Sequence, residues 1–233
     1  KKKNVSHLFA KFEKNLKLDK FFTSDFNIFV EKTSKDTYLK VFNDNLQKSP
    51  IKPKNQDNLH SGVNLLVENE KFSFLSGVDI FEDLSLGNND RYQFVLPYYN
   101  FSKFLNPKDY GTFEFNSQGD NILDNTNVLK SKIVNNLNFK SNNKIIGGLG
   151  LSNNFNIFFK NLNTVGKNTT EYKSSPQSEL QSLLEINSEL PLLKISERYN
   201  ETLKPKISLR FNPGDMKDHS TDEREINVSN IFN

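Results

Sequence analysis

The chain has 233 residues, a formal net charge of +3, three histidines, and neither cysteine nor tryptophan. Without cysteine this segment has no disulfide, no thiolate-bound zinc and no thiol nucleophile. Its charges are interspersed apart from Lys1 to Lys3, and no basic helix, RNA-binding motif or zinc finger accompanies them, so no nucleic-acid partner is expected.

Hydrophobic residues make up 35% of the chain, against about 45–50% in ordinary soluble domains. Phe, at 21 residues, supplies most of the aromatic content, a composition that suits strands. No run of about 18 apolar residues occurs, so there is no transmembrane helix. A transmembrane strand needs only about 9–11 residues of alternating character, and that signal runs through the chain.

In chain order, alternation with a period of two predicts about twelve strands, at 6–18, 24–33, 37–46, 59–69, 71–83, 90–103, 110–119, 127–141, 145–162, 178–194, 201–212 and 223–232. Four of them have clearly separated faces. Phe26, Ile28 and Val30 oppose Asp25, Asn27 and Glu31. Phe72, Phe74, Ser76, Val78 and Ile80 oppose Ser73, Gly77 and Asp79. Leu129, Ile133, Leu137 and Phe139 oppose Lys130, Lys132, Asn136, Asn138 and Lys140. Phe155, Ile157 and Phe159 oppose Asn154, Asn156 and Lys160. Glu179 to Ile186 also fits a helix with Leu180, Leu183 and Leu184 on one face. Alternation of Leu180, Leu184, Ile186 and Leu190, followed by Pro191, favours a strand.

Consecutive strands with one wet face predict an all-β fold, a long antiparallel sheet that closes into a barrel, stacks into a sandwich or winds as a solenoid. No fixed repeat supports a solenoid or propeller. Short turns at 68–70 and 141–143 and long polar connections at 47–58, 163–177 and 213–222 match the two unlike ends of an outer-membrane barrel. The chain begins at Lys1 and stops at Asn233 beside a strand-like run, so 1–233 is expected to be an internal piece of a barrel domain, without signal peptide or jelly-roll domain. An open arc of this kind has two unpaired edges and is expected to aggregate without its missing strands.

No catalytic constellation emerges, and no cofactor or metal is expected. His7, His60 and His219 are isolated in sequence. Gly147-Gly148-Leu149-Gly150 lacks both the P-loop Lys-Ser/Thr and the dinucleotide-binding spacing, and reads as a bend. The carboxylate pairs Glu82/Asp83 and Asp222/Glu223 read as exposed loop charges. Asn168-Thr169-Thr170 and Asn200-Glu201-Thr202 match glycosylation sequons, a common coincidence in an Asn-rich chain.

Several stretches carry a resemblance from about residue 88 to 233. They are Asn89-Asp90-Arg91-Tyr92-Gln93-Phe94-Val95-Leu96-Pro97-Tyr98, Thr126-Asn127 through Phe139, Ser174-Ser175-Pro176-Gln177, Leu203 through Gly214, and Glu223 through Phe232. Together they resemble the lipopolysaccharide-assembly outer-membrane protein LptD, the organic-solvent-tolerance family, in its alphaproteobacterial style. Thr37-Tyr38-Leu39-Lys40-Val41 fits the same barrel more loosely.

The resemblance implies a transmembrane β-barrel in the bacterial outer membrane, of which this chain is an incomplete arc. Its implied role is non-catalytic transport of lipopolysaccharide into the outer leaflet. The implied partners are lipopolysaccharide, membrane lipid, an LptE-like lipoprotein plug and the periplasmic lipopolysaccharide-transport bridge. On that basis Lys130, Lys132 and Lys140 are candidate lumen contacts for phosphate, and Tyr92, Tyr98, Tyr99 and Tyr110 are candidate interfacial aromatics. Pro97 and Pro205 are each expected to remove a ladder hydrogen bond at a bend or bulge. Two other readings compete: a small-solute porin, and a soluble β-sandwich that binds carbohydrate.

Overall fold

The computed structural model describes residues 5–46, 49–87, 90–148, 150–196 and 199–213. Its elements are β1 (His7–Asn15), β2 (Thr23–Thr33), α1 (Tyr38–Val41), α2 (Asn43–Leu46), β3 (Asn58–Asn69), β4 (Phe72–Asp83), β5 (Tyr92–Leu105), β6 (Gly111–Asp124), β7 (Val128–Ser141), β8 (Lys144–Ile146), β9 (Leu151–Lys167), β10 (Gln177–Glu189), β11 (Leu192–Ile195), β12 (Asn200–Leu203) and β13 (Lys206–Phe211). The fold is all-β. Ten strands lie in the order β1-β2-β3-β4-β5-β6-β7-β9-β10-β13, with β8 adding a short pairing to β9. Every pairing is antiparallel. Among the described residues β1 and β13 end the sheet, and β11–β12 form a separate two-stranded ribbon.

Local chemistry sets the hairpins. Between β3 and β4 the backbone N–H of Lys71 donates to the Asn69 side chain at 2.9 Å, the Asx turn that Asn favours. Between β6 and β7, Asn125 and Thr126 both take positive φ, 52° and 61°, the twist that joins antiparallel strands most directly. Between β8 and β9, Gly147 and Gly150 have φ of 74° and 76°, while an added Cβ at either would meet nothing within 4 Å. Backbone conformation, not space, is therefore what glycine supplies there.

The expected strand at 37–46 is instead the helix pair α1–α2. Tyr38, Phe42 and Leu46 recur at the helical spacing of four. Leu39 is 3% exposed and clusters with Leu59 and Leu84, and that burial outweighs the short alternation. The run 145–162 is split by the glycine turn and extends to Lys167. The run 110–119 continues to Asp124, because Asp120 and Asn121 each find room on a sheet face. The run 178–194 stops at Glu189, and 201–212 breaks at Lys204–Pro205. There Leu190 N–H donates to the Pro205 carbonyl at 3.1 Å, so the β10–β13 hairpin passes between Pro191 and Pro205 into the β11–β12 ribbon. The predicted strand 223–232 lies outside the described residues.

Pro97 sits in a bulge with a cis Leu96–Pro97 bond. Val95 and Tyr98, three residues apart, face Asp79 and Gly77 on one side and Ile122 and Asp120 on the other. Strand β5 thus holds one extra residue against both neighbours. Connections 34–57 and 168–176 fall at one end of the sheet and the 70–71 turn at the other, as expected. The short 125–127 turn shares the first end, however, and the β11–β12 ribbon extends from the second.

Very little of this molecule is core. Among the described residues the buried hydrophobics are Leu39, Leu59, Val67, Leu84 and Val134. The accessible surface is 17561 Å², against about 10,800 Å² for a compact monomer of this mass. Apart from the α1–α2 pair, which packs Leu39 on Leu59 at one end, no second layer covers either face of the sheet among the described residues.

Candidate functional site

The candidate site is the sheet itself, because register sorts its side chains into two continuous faces. Paired residues in an antiparallel ladder share a face. One ladder row runs Phe26, Leu65, Ser76, Tyr99, Gly119, Ile133, Asn163 from β2 to β9. Followed through these pairings, all four apolar sets read from the sequence lie on this same face.

The apolar residues do not run along the ladder, however; they climb across it. On β2 the centre of Phe26, Ile28 and Val30 is Ile28, two residues beyond the row in the chain direction. On β9, which runs the same way, the centre of Phe155, Ile157 and Phe159 is Ile157, six residues before the row at Asn163. The band therefore shifts by 2 + 6 = 8 residues over the six steps from β2 to β9. At ~3.3 Å per residue and ~4.8 Å per strand, this is ~26 Å of climb in ~29 Å, an inclination of about 42°. Leu137 and Phe139 on β7, and Leu184 and Ile186 on β10, fall on the same line.

Exposure of adjacent residues at the centre of the sheet differs between the faces. Val134 is 5% exposed and Ile133, on the apolar face, 37%; Asn156 is 7% and Phe155 44%. On β6 the order reverses: Ser117, on the apolar face, is 8% exposed while Gln118, on the polar face, is exposed, so neither face is uniformly the more crowded.

Along the ladder rows, the apolar face also carries a hydrogen-bonded polar chain. Tyr99 Oη lies 3.1 Å from Ser117 Oγ, which donates to Asn135 Oδ1 at 2.7 Å. Asn135 Nδ2 donates to Asn161 Oδ1 at 3.2 Å, Asn161 donates to Ser178 Oγ at 3.1 Å, and Asn163 also donates to Asn161. The chain spans five strands and satisfies its own amides.

The polar face holds the candidate lysines. Lys130 Nζ is 3.1 Å from Glu171 and 3.9 Å from Asp124. This contact, and then Tyr172, holds the Glu171 carboxyl in the 168–176 loop below the usual carboxylate value. Lys132 stands opposite Asp120. Lys140 stands opposite Asn156, exposed, on the far half of β7. The three share a face but do not form one cluster.

The tyrosines also separate. Tyr92 opens β5, Tyr110 is exposed in the loop before β6, and Tyr98 and Tyr99 lie mid-strand on opposite faces. The latter pair has a packing role that sequence inspection missed. Tyr98 covers Gly77 on β4, where an added Cβ would lie 2.7 Å from its hydroxyl, and Tyr99 covers Gly119 on β6, where it would lie 2.5 Å from the ring. Tyr98 also hydrogen-bonds Asp79 and Asn64. Consecutive tyrosines, each opposite a glycine, were the available signal, but it is visible only once register is known.

Glu82 is not the exposed loop charge expected. It is 7% exposed at the end of β4, beside Arg91 at 9%. Its carboxylate meets Arg91 at 3.0 Å, Lys32 at 2.7 Å and the Tyr92 hydroxyl at 3.0 Å. Arg91 also holds Asp36 at 2.7 Å, and chiefly that contact raises the guanidinium above its ordinary value. Asp36 leads into α1, so the network fastens the 34–57 connection to the sheet end. Asp222, Glu223 and His219 lie outside the described residues. His60 stacks on Phe81 at 4.3 Å and contacts Asp79 at 3.0 Å, and His7 packs on Phe9. No group of three or more potential metal ligands occurs among the described residues.

Fold and faces together define an open, two-faced antiparallel sheet with an inclined apolar band. No protein-family model matches the chain, and no curated protein matches it.

Proposed function

We propose that the chain is an arc of a transmembrane β-barrel in the bacterial outer membrane, of the lipopolysaccharide-assembly kind. The observation that carries the barrel is the inclination of the apolar band. Strands of outer-membrane barrels tilt by about 35–45° from the barrel axis. A level belt of lipid-facing residues must then cross the ladder at that same angle, and the band here does so at about 42°. A soluble sandwich has no reason to hold a level belt against strand tilt. It also needs a covered apolar face, and Ile207, Leu209 and Phe211 on β13 are each more than 60% exposed.

An apolar face backed by a polar one matches lipid outside and a hydrated lumen inside. Transport of lipopolysaccharide, and engagement of a lipoprotein plug and a periplasmic bridge, rest on the segments that resemble the assembly family; a small-solute porin has the same barrel physics. The test is the outer-membrane fraction of cells expressing this arc together with the strands that complete its barrel. Gel migration that shifts only after boiling supports the barrel, and a soluble protein without a shift refutes it. Photo-crosslinking from the polar face to lipopolysaccharide separates the transporter from the porin.

A further inference from the structure

We infer that the apolar face carries a phospholipid headgroup site at its rim beside the 70–71 turn, fitted to a phosphate and a primary ammonium together. The site rests on the proposed membrane belt, because that belt is what puts the rim at headgroup level. An open cleft of about 520 Å³ lies there, lined by Asp19, Lys20, Phe21, Phe22, Glu70 and Lys71 among others. That volume lies in the range of small-ligand sites, about 300–1,000 Å³.

The cleft continues the apolar band. The Phe21 ring packs on Phe72 at 5.8 Å, and Phe72 packs on Phe101, within the band, at 5.3 Å. Phe22 N–H donates to the Glu68 carbonyl at 3.0 Å, so the chain runs into β2 already held against β3. Phe22 stands six residues before Ile28, the band centre on β2. At ~3.3 Å per residue and an inclination of about 42°, it lies ~15 Å from the midplane. The apolar band of an outer-membrane barrel is about 25 Å tall, so the cleft falls just beyond its edge, where headgroups lie. Phe22, 69% exposed, meets the upper acyl chain there.

The charges select the headgroup. Asp19, Lys20, Glu70 and Lys71 are all exposed, and none carries an ion pair among the described residues. Two ammonium groups and two carboxylates that line one cleft without neutralising one another match a zwitterion, its phosphate to the lysines and its ammonium to the carboxylates. Lys103 adds a third cation. It stands between Phe72 and Phe115 on the apolar face, two residues from Phe101 toward the same rim, exposed and without an ion pair among the described residues. A lysine on a lipid-facing surface carries its ammonium along its stem to the interface, and the interface it reaches is this rim. A quaternary ammonium has no N–H to give the carboxylates, so the cleft selects phosphatidylethanolamine over phosphatidylcholine.

Native mass spectrometry tests this on the arc together with the strands that complete its barrel, in micelles holding equal phosphatidylethanolamine, phosphatidylglycerol and phosphatidylcholine. Phosphatidylethanolamine retained about fivefold above either other lipid is expected, the worth of one or two exposed ion pairs. Lys20→Gln with Lys71→Gln is expected to erase the preference, and Asp19→Asn with Glu70→Gln to turn it toward phosphatidylglycerol. Lys160→Gln, on the polar face, leaves it unchanged. All four side chains in the cleft are exposed, so the variants are safe for folding, and boiling-dependent migration confirms each one's fold. Equal retention of the three lipids, a preference for phosphatidylglycerol in the unsubstituted protein, or a preference that survives K20Q with K71Q overturns the site. Absence of boiling-dependent migration in the unsubstituted protein instead overturns the barrel, so the two failures are distinguishable.

Discussion

An arginine scan along one ladder row separates a tilted membrane belt from an ordinary sheet face. Phe26 and Asn163 lie on the same row, six strands apart, on the same face. Measured along the strands, Phe26 is two residues from its band centre at Ile28, and Asn163 is six residues from Ile157. With strands inclined at about 42°, these offsets project to ~5 Å and ~15 Å from the midplane. The apolar band of an outer-membrane barrel is about 25 Å tall, so the first position lies deep within it and the second just outside. Arginine costs about 2–4 kcal/mol at the midplane and about 0–1 kcal/mol near the interfaces.

Phe26→Arg is therefore expected to cost about 2–3 kcal/mol more than Phe26→Ala, and Asn163→Arg less than about 1 kcal/mol more than Asn163→Ala. Subtracting alanine removes the loss of the native side chain, including the Asn163 hydrogen bond to Asn161. Guanidinium unfolding of the protein folded into phosphatidylcholine vesicles measures all four variants. Equal arginine penalties at the two positions, or a larger one at Asn163, would refute the inclined belt and with it the membrane-spanning arc.

Other perturbations probe the supports of the sheet. Gly77→Val places a Cβ 2.6 Å from the Val63 carbonyl oxygen and should cost about 1–3 kcal/mol by overpacking; Gly148→Ala, with nothing within 4 Å, should leave the unfolding midpoint in place. Arg91→Leu strands the buried Glu82 with Lys32 as its remaining cation and should destabilise by about 3 kcal/mol, read out as faster proteolysis within 34–57; adding Glu82→Leu should recover part of the loss. Because the Glu171 carboxyl is held below its usual value, its contact with Lys130 is fully present above the unfolded-state value of about 4.3 and is lost as pH falls through the lower folded value. Hydrogen exchange in the 168–176 loop should rise over that acid window, and Glu171→Gln should remove the dependence.

Alternation alone identified the two faces strand by strand, because side-chain direction in a strand depends only on parity. Ile28, Val78, Leu137 and Ile157 were each assigned to an apolar set before any pairing was known, and register places them on one surface. Parity says nothing about which residue faces which, so the Tyr98–Gly77 and Tyr99–Gly119 contacts were invisible. The segment 37–46 failed for a different reason. Leu39 and Val41 alternate over too short a span to decide, and the burial of Leu39 against Leu59 and Leu84, with Tyr38 and Leu46 packed beside it, depends on long-range contacts. Lys130, Lys132 and Lys140 share parity and hence a face. Their pairing differs because Glu171 arrives from a loop that no strand pattern locates.

Inclination is the property that joins these levels. Each strand on its own carries a stretch of alternating apolar residues whose position along the strand looks arbitrary. Within a registered sheet the stretches of β2, β7, β9 and β10 fall on one line, and the slope of that line is a physical angle. A protein core has no reason to produce it, because a core follows contacts with a second layer, and among the described residues no such layer covers the band. A bilayer does produce it, because hydrocarbon has a level boundary while the strands crossing it are tilted. The polar chain from Tyr99 to Ser178 keeps instead to the ladder rows, two residues from Phe101 and Phe115 at one end and six from Leu184 at the other, so the inclined band and the row-following polar chain diverge across the sheet.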